Sequence, residues 1–356
     1  MKRIALLGLA VMTVAMSYAQ GISGTWKGML NAGNQKLEIV FHFDPSKDGG
    51  GAATMDVPAQ SAMGIPVRLN LLSADSVSLD VLALLMEYTG KLNNGVITGT
   101  FRQFGVAFPL ELKAGDAGKP NRPQEPESPL GYKTEEVTFT NQKAHVSLAG
   151  TLTYPVNYTP DKKVPVVIMV TGSGAQNRDE EVFAHKPFRV IADYLAKQGI
   201  ASLRYDDRGV GQSTGNQAGC TSADFAEDAA CGLSWLKSSG KFNQVGILGH
   251  SEGGLIAFML GAEGKADFLV SMAGPGIKGD SLLVEQQNAL FKLKGIPSNV
   301  SVSTLRKSMA TQPGNVWLEY FMDYDPRPDL ERITIPVMAV NGSNDMQVLS
   351  DSNISA

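Results

Sequence analysis

The sequence predicts an α/β chain in two parts: a small antiparallel β-barrel or sandwich, then a doubly wound sheet with helices on both faces. Three observations predict it. Short alternating segments broken by glycine and asparagine fill residues 22–113. Pro120, Pro123, Pro126 and Pro129 then mark a stiff linker over residues 114–131. From residue 132 to 356, apolar runs of strand length alternate with segments of helical period, the pattern of a parallel sheet.

In the first part, Leu37, Ile39, Phe41 and Phe43 share one face of a strand, as do Val77, Leu79 and Val81. Asn93-Asn94-Gly95 reads as a hairpin turn. Trp26 and Phe101 are candidate core aromatics, and Leu82 to Met86 is open to a helical reading that would interrupt the barrel. His42, between two phenylalanines, is expected to face outward rather than to ligate.

Beyond the linker, strands are expected at Val137 to Phe139, Leu148 to Tyr154, Val164 to Val170 and Ile200 to Tyr205, with a helix at Pro187 to Lys197. A second helix spans about Ser222 to Ser238, capped by Thr221 or Ser222. Further strands follow at Val245 to Leu248, Phe268 to Ala273 and Ile335 to Asn341. A helical, lid-like insertion occupies residues 280–324.

At 356 residues the chain can hold two cores, and 43% hydrophobic content with a net charge of -4 leaves no basic footprint for nucleic acid. Lys2 and Arg3, the apolar run Ile4 to Met16 and then Ser17-Tyr18-Ala19 match a secretory signal peptide over residues 1–19. The expected location is periplasmic or extracellular. That run is too short to cross a bilayer, so stable membrane insertion is not expected. With no cysteine before Cys220, a lipid-modified cysteine at the cleavage point is excluded. Cys220 and Cys231 flank a helix start, and helical rise would hold them beyond the ~7 Å a disulfide tolerates. No ligand spacing suggests a metal, and no cofactor is expected.

The chemistry concentrates at Gly249-His250-Ser251-Glu252-Gly253-Gly254, where an apolar strand gives way at once to an apolar helix. A GxSxG turn between strand and helix lifts its serine clear of the sheet, which makes Ser251 a candidate nucleophile. A second match, Gly211 to Gly215, has no helix after it, so Ser213 reads as a loop residue. Serine needs a base and donors for the oxyanion. The amide of Glu252 is one expected donor. The loop Thr171-Gly172-Ser173-Gly174-Ala175 supplies the other, with Ser173 favoured and Gly174 the neighbouring option. Asp345, in a turn after the last strand, is the candidate acid. Only eleven residues follow it and none is histidine. Among the four histidines, His42 and His145 lie far off in the pattern. His250 adjoins the serine and should point away from it, and His185 precedes the serine against the expected order.

Residues from about Glu135 to Val348 resemble the α/β-hydrolases, and more narrowly a bacterial esterase group with a β-rich N-terminal domain. The resemblance rests on TGSGAQNRDE from Thr171, HKPFRVIADYLAKQGIASLRYDDRGVGQSTG from His185, GILGHSEGG from Gly246 and IPVMAVNGSNDMQV from Ile335. It implies Ser251 as nucleophile, Asp345 as acid, Gly172 to Gly174 as oxyanion loop and a histidine a few tens of residues past the acid. The expectation is therefore a chain that stops before its histidine and the last edge of its sheet, inactive by itself, from an active parent. The resemblance also makes Asp206, Asp207 and Arg208 an ion-paired brace. Arg178, Asp179 and Glu180 are expected to be structural rather than substrate-binding. The implied activity is hydrolysis of small carboxylic esters by an exported serine esterase. A serine peptidase or thioesterase on the same machinery is the alternative, and a non-catalytic envelope- or glycan-binding module the third. Oligomeric state is not legible.

Overall fold

The computed structural model describes residues 21–32, 35–45, 51–60, 62–103, 105–115, 122–182, 185–293, 295–297, 299–309 and 314–356. The signal-peptide reading over 1–19 and the linker residues 116–121 lie outside the described residues. Two compact units divide the chain, Met1–Asn121 and Arg122–Ala356.

The first unit is a closed barrel of eight antiparallel strands. They are β1 (Gly24–Ala32), β2 (Gln35–Pro45), β3 (Gly51–Val57), β4 (Ala62–Leu72), β5 (Ser76–Val81), β6 (Met86–Asn93), β7 (Val96–Gln103) and β8 (Val106–Ala114). Each pairs with the next, and Trp26 and Lys27 of β1 meet Ala114 and Lys113 of β8 to close the ring. The period of two is plain in β5, where Val77, Leu79 and Val81 are buried and their neighbours are not. Between β6 and β7, Asn94 and Gly95 both take positive φ, 48° and 79°, the conformation of a two-residue hairpin turn. The helical reading of Leu82 to Met86 holds for one turn, and the interruption of the barrel expected with it is corrected. A single 3-10 turn spans Leu82–Leu84, Leu85 ends it in the left-handed region at φ 49°, and the barrel stays closed. Five consecutive apolar residues carry no period that separates a turn of helix from a strand end.

Side chains fill this barrel, among them Trp26, Phe41, Phe43, Tyr88 and Phe101. Tyr88 stacks on Phe41 with centroids 5.6 Å apart, and its hydroxyl donates to Leu110 O at 3.2 Å. The ring lies over Gly99, where a Cβ would sit 2.3 Å from Thr89 O and 2.5 Å from Tyr88 Oη. Gly99→Ala is therefore expected to overpack the barrel by about 2 kcal/mol, lowering its melting transition by roughly 10 °C. An unchanged barrel transition in calorimetry would contradict that packing.

The second unit is a seven-stranded sheet in the order β15-β14-β13-β11-β12-β10-β9. Its strands are β9 (Thr134–Asn141), β10 (Val146–Thr153), β11 (Val164–Val170), β12 (Ala201–Tyr205), β13 (Phe242–His250), β14 (Leu269–Met272) and β15 (Val337–Val340). The expected all-parallel sheet is corrected to a mixed one. β11 to β15 run parallel, but β10 is antiparallel to both β9 and β12. The turn between Asn141 and Val146 is too short for a crossover, so it can only make a hairpin.

Helices cover both faces. α1 (Pro187–Lys197) packs Phe188 and Ala192 against Val167 and Met169. On the opposite face, α2 (Ser222–Ser238) and α3 (Glu252–Ala262) bury Ala229, Leu233, Leu255 and Phe258 with Val166, Ile168 and Val170. α2 opens with a capping box between Thr221 and Asp224. After β14 come α4 (Gly279–Leu293), α5 (Val302–Met309), α6 (Val316–Asp323) and α7 (Arg327–Leu330), and α8 (Ser350–Ile354) closes the chain. Arg306 of α5 bonds Asp280 at 2.6 Å and Asp323 at 2.8 Å, tying α4, α5 and the end of α6 together. No helix among the described residues is long and apolar enough to cross a membrane.

Candidate active site

The site begins where β13 hands over to α3. Ser251 sits at φ 52°, ψ -118°, a region L-residues avoid at a cost of about 1–3 kcal/mol. Its neighbours hold it there. The Ser251 N–H donates to Met272 O at 2.9 Å, and Gly254 N–H donates back to Ser251 O at 2.8 Å. The glycines are demanded by contact. A Cβ on Gly253 would lie 2.1 Å from Val170 O, and one on Gly249 would lie 1.8 Å from Gly253 O. α3 is apolar on every side and buried from Gly253 to Gly261, so the nucleophile candidate stands on the most enclosed helix of the unit. Ser213 has a different fate. Its hydroxyl donates to Asp206 O at 2.7 Å and accepts from Ala149 N–H at 2.9 Å, which leaves it a buried loop tie.

Facing Ser251 is the loop after β11. Thr171 Oγ1 donates to Asp207 Oδ1 at 2.8 Å and Gln176 N–H to Asp207 Oδ2 at 2.9 Å, so one carboxyl pins both ends of the loop. Gly174 turns it at φ 96°. Among the described residues, the N–H groups of Ser173, Gly174 and Glu252 donate to no protein acceptor, whereas Gly172 N–H donates to Glu180 Oε1 at 2.8 Å. Arg178 grips Asp206 with Nε at 3.1 Å and Nη2 at 2.8 Å, and Arg208 grips buried Asp228 at 2.7 and 2.8 Å. Asp179 pairs with Arg204.

Three carboxyl groups gather behind this loop. Asp207, half-buried as a residue but with its carboxyl enclosed, is pushed up to about 7 by desolvation and by the charges of Glu252 and Glu180. Glu252 is buried and accepts from Ser222 Oγ at 2.5 Å and Trp317 Nε1 at 2.7 Å, which links α6 to the residue after the candidate nucleophile. Because the folded value of Asp207 lies above the ordinary 3.8, its contribution to stability is full below that value and is lost as pH rises through about 7. Asp207→Asn is expected to remove this loss. The melting temperature of the variant should gain on the wild type from pH 5 to pH 8, and parallel curves would contradict the assignment.

Ser251 opens into a cavity of about 580 Å³ whose lining includes the apolar Leu282, Leu283, Trp317, Phe321 and Val348 and the polar Ser173, Gln176, His185 and His250. Asp345 follows β15, is half-buried, and accepts from Gln347 N–H at 2.8 Å and Val348 N–H at 3.0 Å. Its loop thus forms part of the cavity rim. His250 turns its Nδ1 to Glu180 Oε1 at 2.7 Å. This bond and the charge of Asp345 hold its pKa above the usual imidazole value. His42 bonds Asp56 at 2.7 Å and Thr25 at 3.1 Å on the barrel. Among the described residues no histidine bonds the Ser251 hydroxyl or the Asp345 carboxylate, and no group of side chains has metal-site geometry.

Ser251, the loop after β11 and the loop that carries Asp345 all follow C-terminal strand ends of one sheet, and each contributes residues to the cavity lining. The family model for serine aminopeptidase S33 matches residues 186–311. The second unit, with its parallel central strands, helices on both faces and a sharp turn from β13 into α3, has the α/β-hydrolase fold. Esterase EstD of Thermotoga maritima is 31% identical over 231 residues, covering 62% of this chain and 54% of the relative. The chain thus spans about half the length of that curated relative. Among solved structures, an esterase of Pyrococcus furiosus matches at 20% identity with a TM-score of 0.46, over 63% of this chain and 75% of that one. Est1E of Butyrivibrio proteoclasticus, solved with ferulic acid bound, matches at 18% identity with a TM-score of 0.46, over 62% and 83%.

Three site features escaped the sequence reading. Glu180, grouped there with structural residues, lies in the site, while Arg178 and Asp179 do act as braces. The Glu180 to His250 bond and the Trp317 to Glu252 bond join residues 70 and 65 positions apart, and no local pattern marks either.

Proposed function

We propose that the protein is a serine hydrolase of carboxylic esters that works through an acyl-enzyme. The observation that carries this reading is Ser251 at positive φ on the strand-to-helix turn, beside unengaged N–H groups and lining a largely apolar cavity. Ser251 Oγ attacks the ester carbonyl carbon as a histidine general base takes the hydroxyl proton. The resulting oxyanion is held by the N–H of Glu252 and that of Ser173 or Gly174. The tetrahedral intermediate then collapses, the C–O bond to the alcohol breaks, and the histidine returns that proton to the leaving oxygen. Water attacks the acyl-serine in the same way and releases the acid. Asp345 orients that histidine, a role assigned to none of the four histidines described above. The wall formed by Leu282, Leu283 and Phe321 suits an apolar acyl group.

One observation favours a second reading. The matched family model is named for a serine aminopeptidase, and amide cleavage uses the same groups. A panel of acyl esters, thioesters and aminoacyl amides offered to the whole protein decides between them. The first reading expects kcat/KM for short acyl esters to exceed that for amides by on the order of 10²-fold or more. A preference for aminoacyl amides would reverse it. Export belongs to the same proposal. Protein recovered from the periplasm or medium should begin near Gln20, and an intact Met1 there, read by mass spectrometry, would contradict export by signal cleavage.

A further inference from the structure

We infer that Glu180 is a positioning residue that locks the oxyanion loop to the nucleophile turn, with His250 as its second anchor. The inference rests on the serine-hydrolase reading and assigns it a part that the nucleophile, acid and oxyanion donors do not cover. Glu180 has a side chain only 4% exposed, and one oxygen, Oε1, accepts from two directions. Gly172 N–H reaches it at 2.8 Å from the oxyanion loop, and His250 Nδ1 reaches it at 2.7 Å from the residue before Ser251. The main chain takes strain to place it, since Glu180 lies at φ 51°, a conformation that glycine would adopt more cheaply. The junction is tight. A Cβ on Gly172 would stand 3.3 Å from Ser251 Cβ, 3.4 Å from Glu180 Oε1 and 3.4 Å from His250 Nδ1.

Two loops that must keep fixed spacing while the oxyanion forms are therefore joined through one buried oxygen. Asp207 secures the oxyanion loop at Thr171 and Gln176, and the hydrogen bonds of its carboxyl stay within that loop. Glu180 supplies the cross-link. Losing an oxyanion donor costs about 10²–10³ in kcat, and misplacing the loop that carries one should cost a fraction of that. Charge is secondary, because both bonds need only an acceptor at Oε1. The charged groups facing His250 are Glu180 and Asp345, and Asp207 and Glu252 stand behind the loop.

The test compares Glu180→Ala, Glu180→Gln, His250→Ala and the Glu180→Ala/His250→Ala double variant in the whole protein. Ester turnover and the rate of Ser251 labelling by a fluorophosphonate are both followed. Glu180→Ala and His250→Ala should each lower kcat and labelling by about 10–100-fold with KM within about threefold, and the double variant should be no worse than either single one. Glu180→Gln keeps a carbonyl oxygen at the same place and should restore kcat to within about threefold, with the pH profile displaced as His250 loses its charged partner. Should Glu180→Ala not fold, Glu180→Gln and His250→Ala carry the comparison. Wild-type kcat in Glu180→Ala or His250→Ala, or additive losses in the double variant, would overturn the positioning role and leave the hydrolase reading standing. A wild type that neither hydrolyses esters nor takes the probe overturns both.

Discussion

Replacing Ser251 with alanine is expected to abolish ester turnover by the whole protein, with kcat falling by on the order of 10⁴-fold or more. The fold should not notice. Alanine meets the same strain at φ 52° that serine meets, and the two hydrogen bonds that hold the turn, to Met272 O and from Gly254 N–H, use the main chain alone. The melting temperature should stay within a few degrees of wild type, which separates loss of chemistry from loss of structure. Retained turnover in Ser251→Ala would remove the nucleophile assignment. A protein that folds and binds envelope or glycan material without turning over any ester, before or after the substitution, would restore the binding-module alternative.

The second large effect is structural. Gly253→Ala places a methyl 2.1 Å from Val170 O and 2.7 Å from Thr171 O, main-chain atoms of the central strand and of the loop after it. Neither can swing aside as a side chain could, so α3 must lift away from β11 and β13. The expected cost is at least about 4 kcal/mol, the range reserved for core clashes with no relaxation path. That loss should lower the melting temperature of the second unit by roughly 10 °C or remove soluble protein altogether. Glu252 would move with the helix, so any protein that survives should also label slowly at Ser251. A melting curve and labelling rate equal to wild type would show that α3 has room the contacts deny it.

Much of the second unit is legible because its determinants are local. The run Val245 to Leu248, the glycines at 249, 253 and 254 and the apolar residues beyond them dictate strand, strained turn and buried helix within sixteen residues. The placement of Asp345 and of the glycine-rich loop from Thr171 is legible for the same reason, each lying past a strand end. What escapes is long-range or depends on orientation. A hairpin strand such as β10 has the same apolar content as a parallel one, so the antiparallel edge is invisible until the turn at Asn141 to Val146 is known to be too short for a crossover. Glu180 looks like any charged residue after an arginine and an aspartate. Its burial and positive φ arise only when the loop packs against His250. The raised pKa of Asp207 likewise depends on Glu180 and Glu252 arriving from distant positions. In the barrel, period two finds the inward residues, but the slot that Gly99 leaves for Tyr88 is set by a cross-strand neighbour.

The most direct test of the central claim is covalent. The whole protein is treated with a fluorophosphonate, digested, and the modified peptide sequenced by mass spectrometry, with Ser251→Ala run in parallel. The account predicts a single stoichiometric adduct on Ser251, within the peptide that carries His250 and Glu252, and none in the variant. An adduct on Ser213 or another serine, or an unmodified Ser251 in a protein that hydrolyses esters, would contradict it.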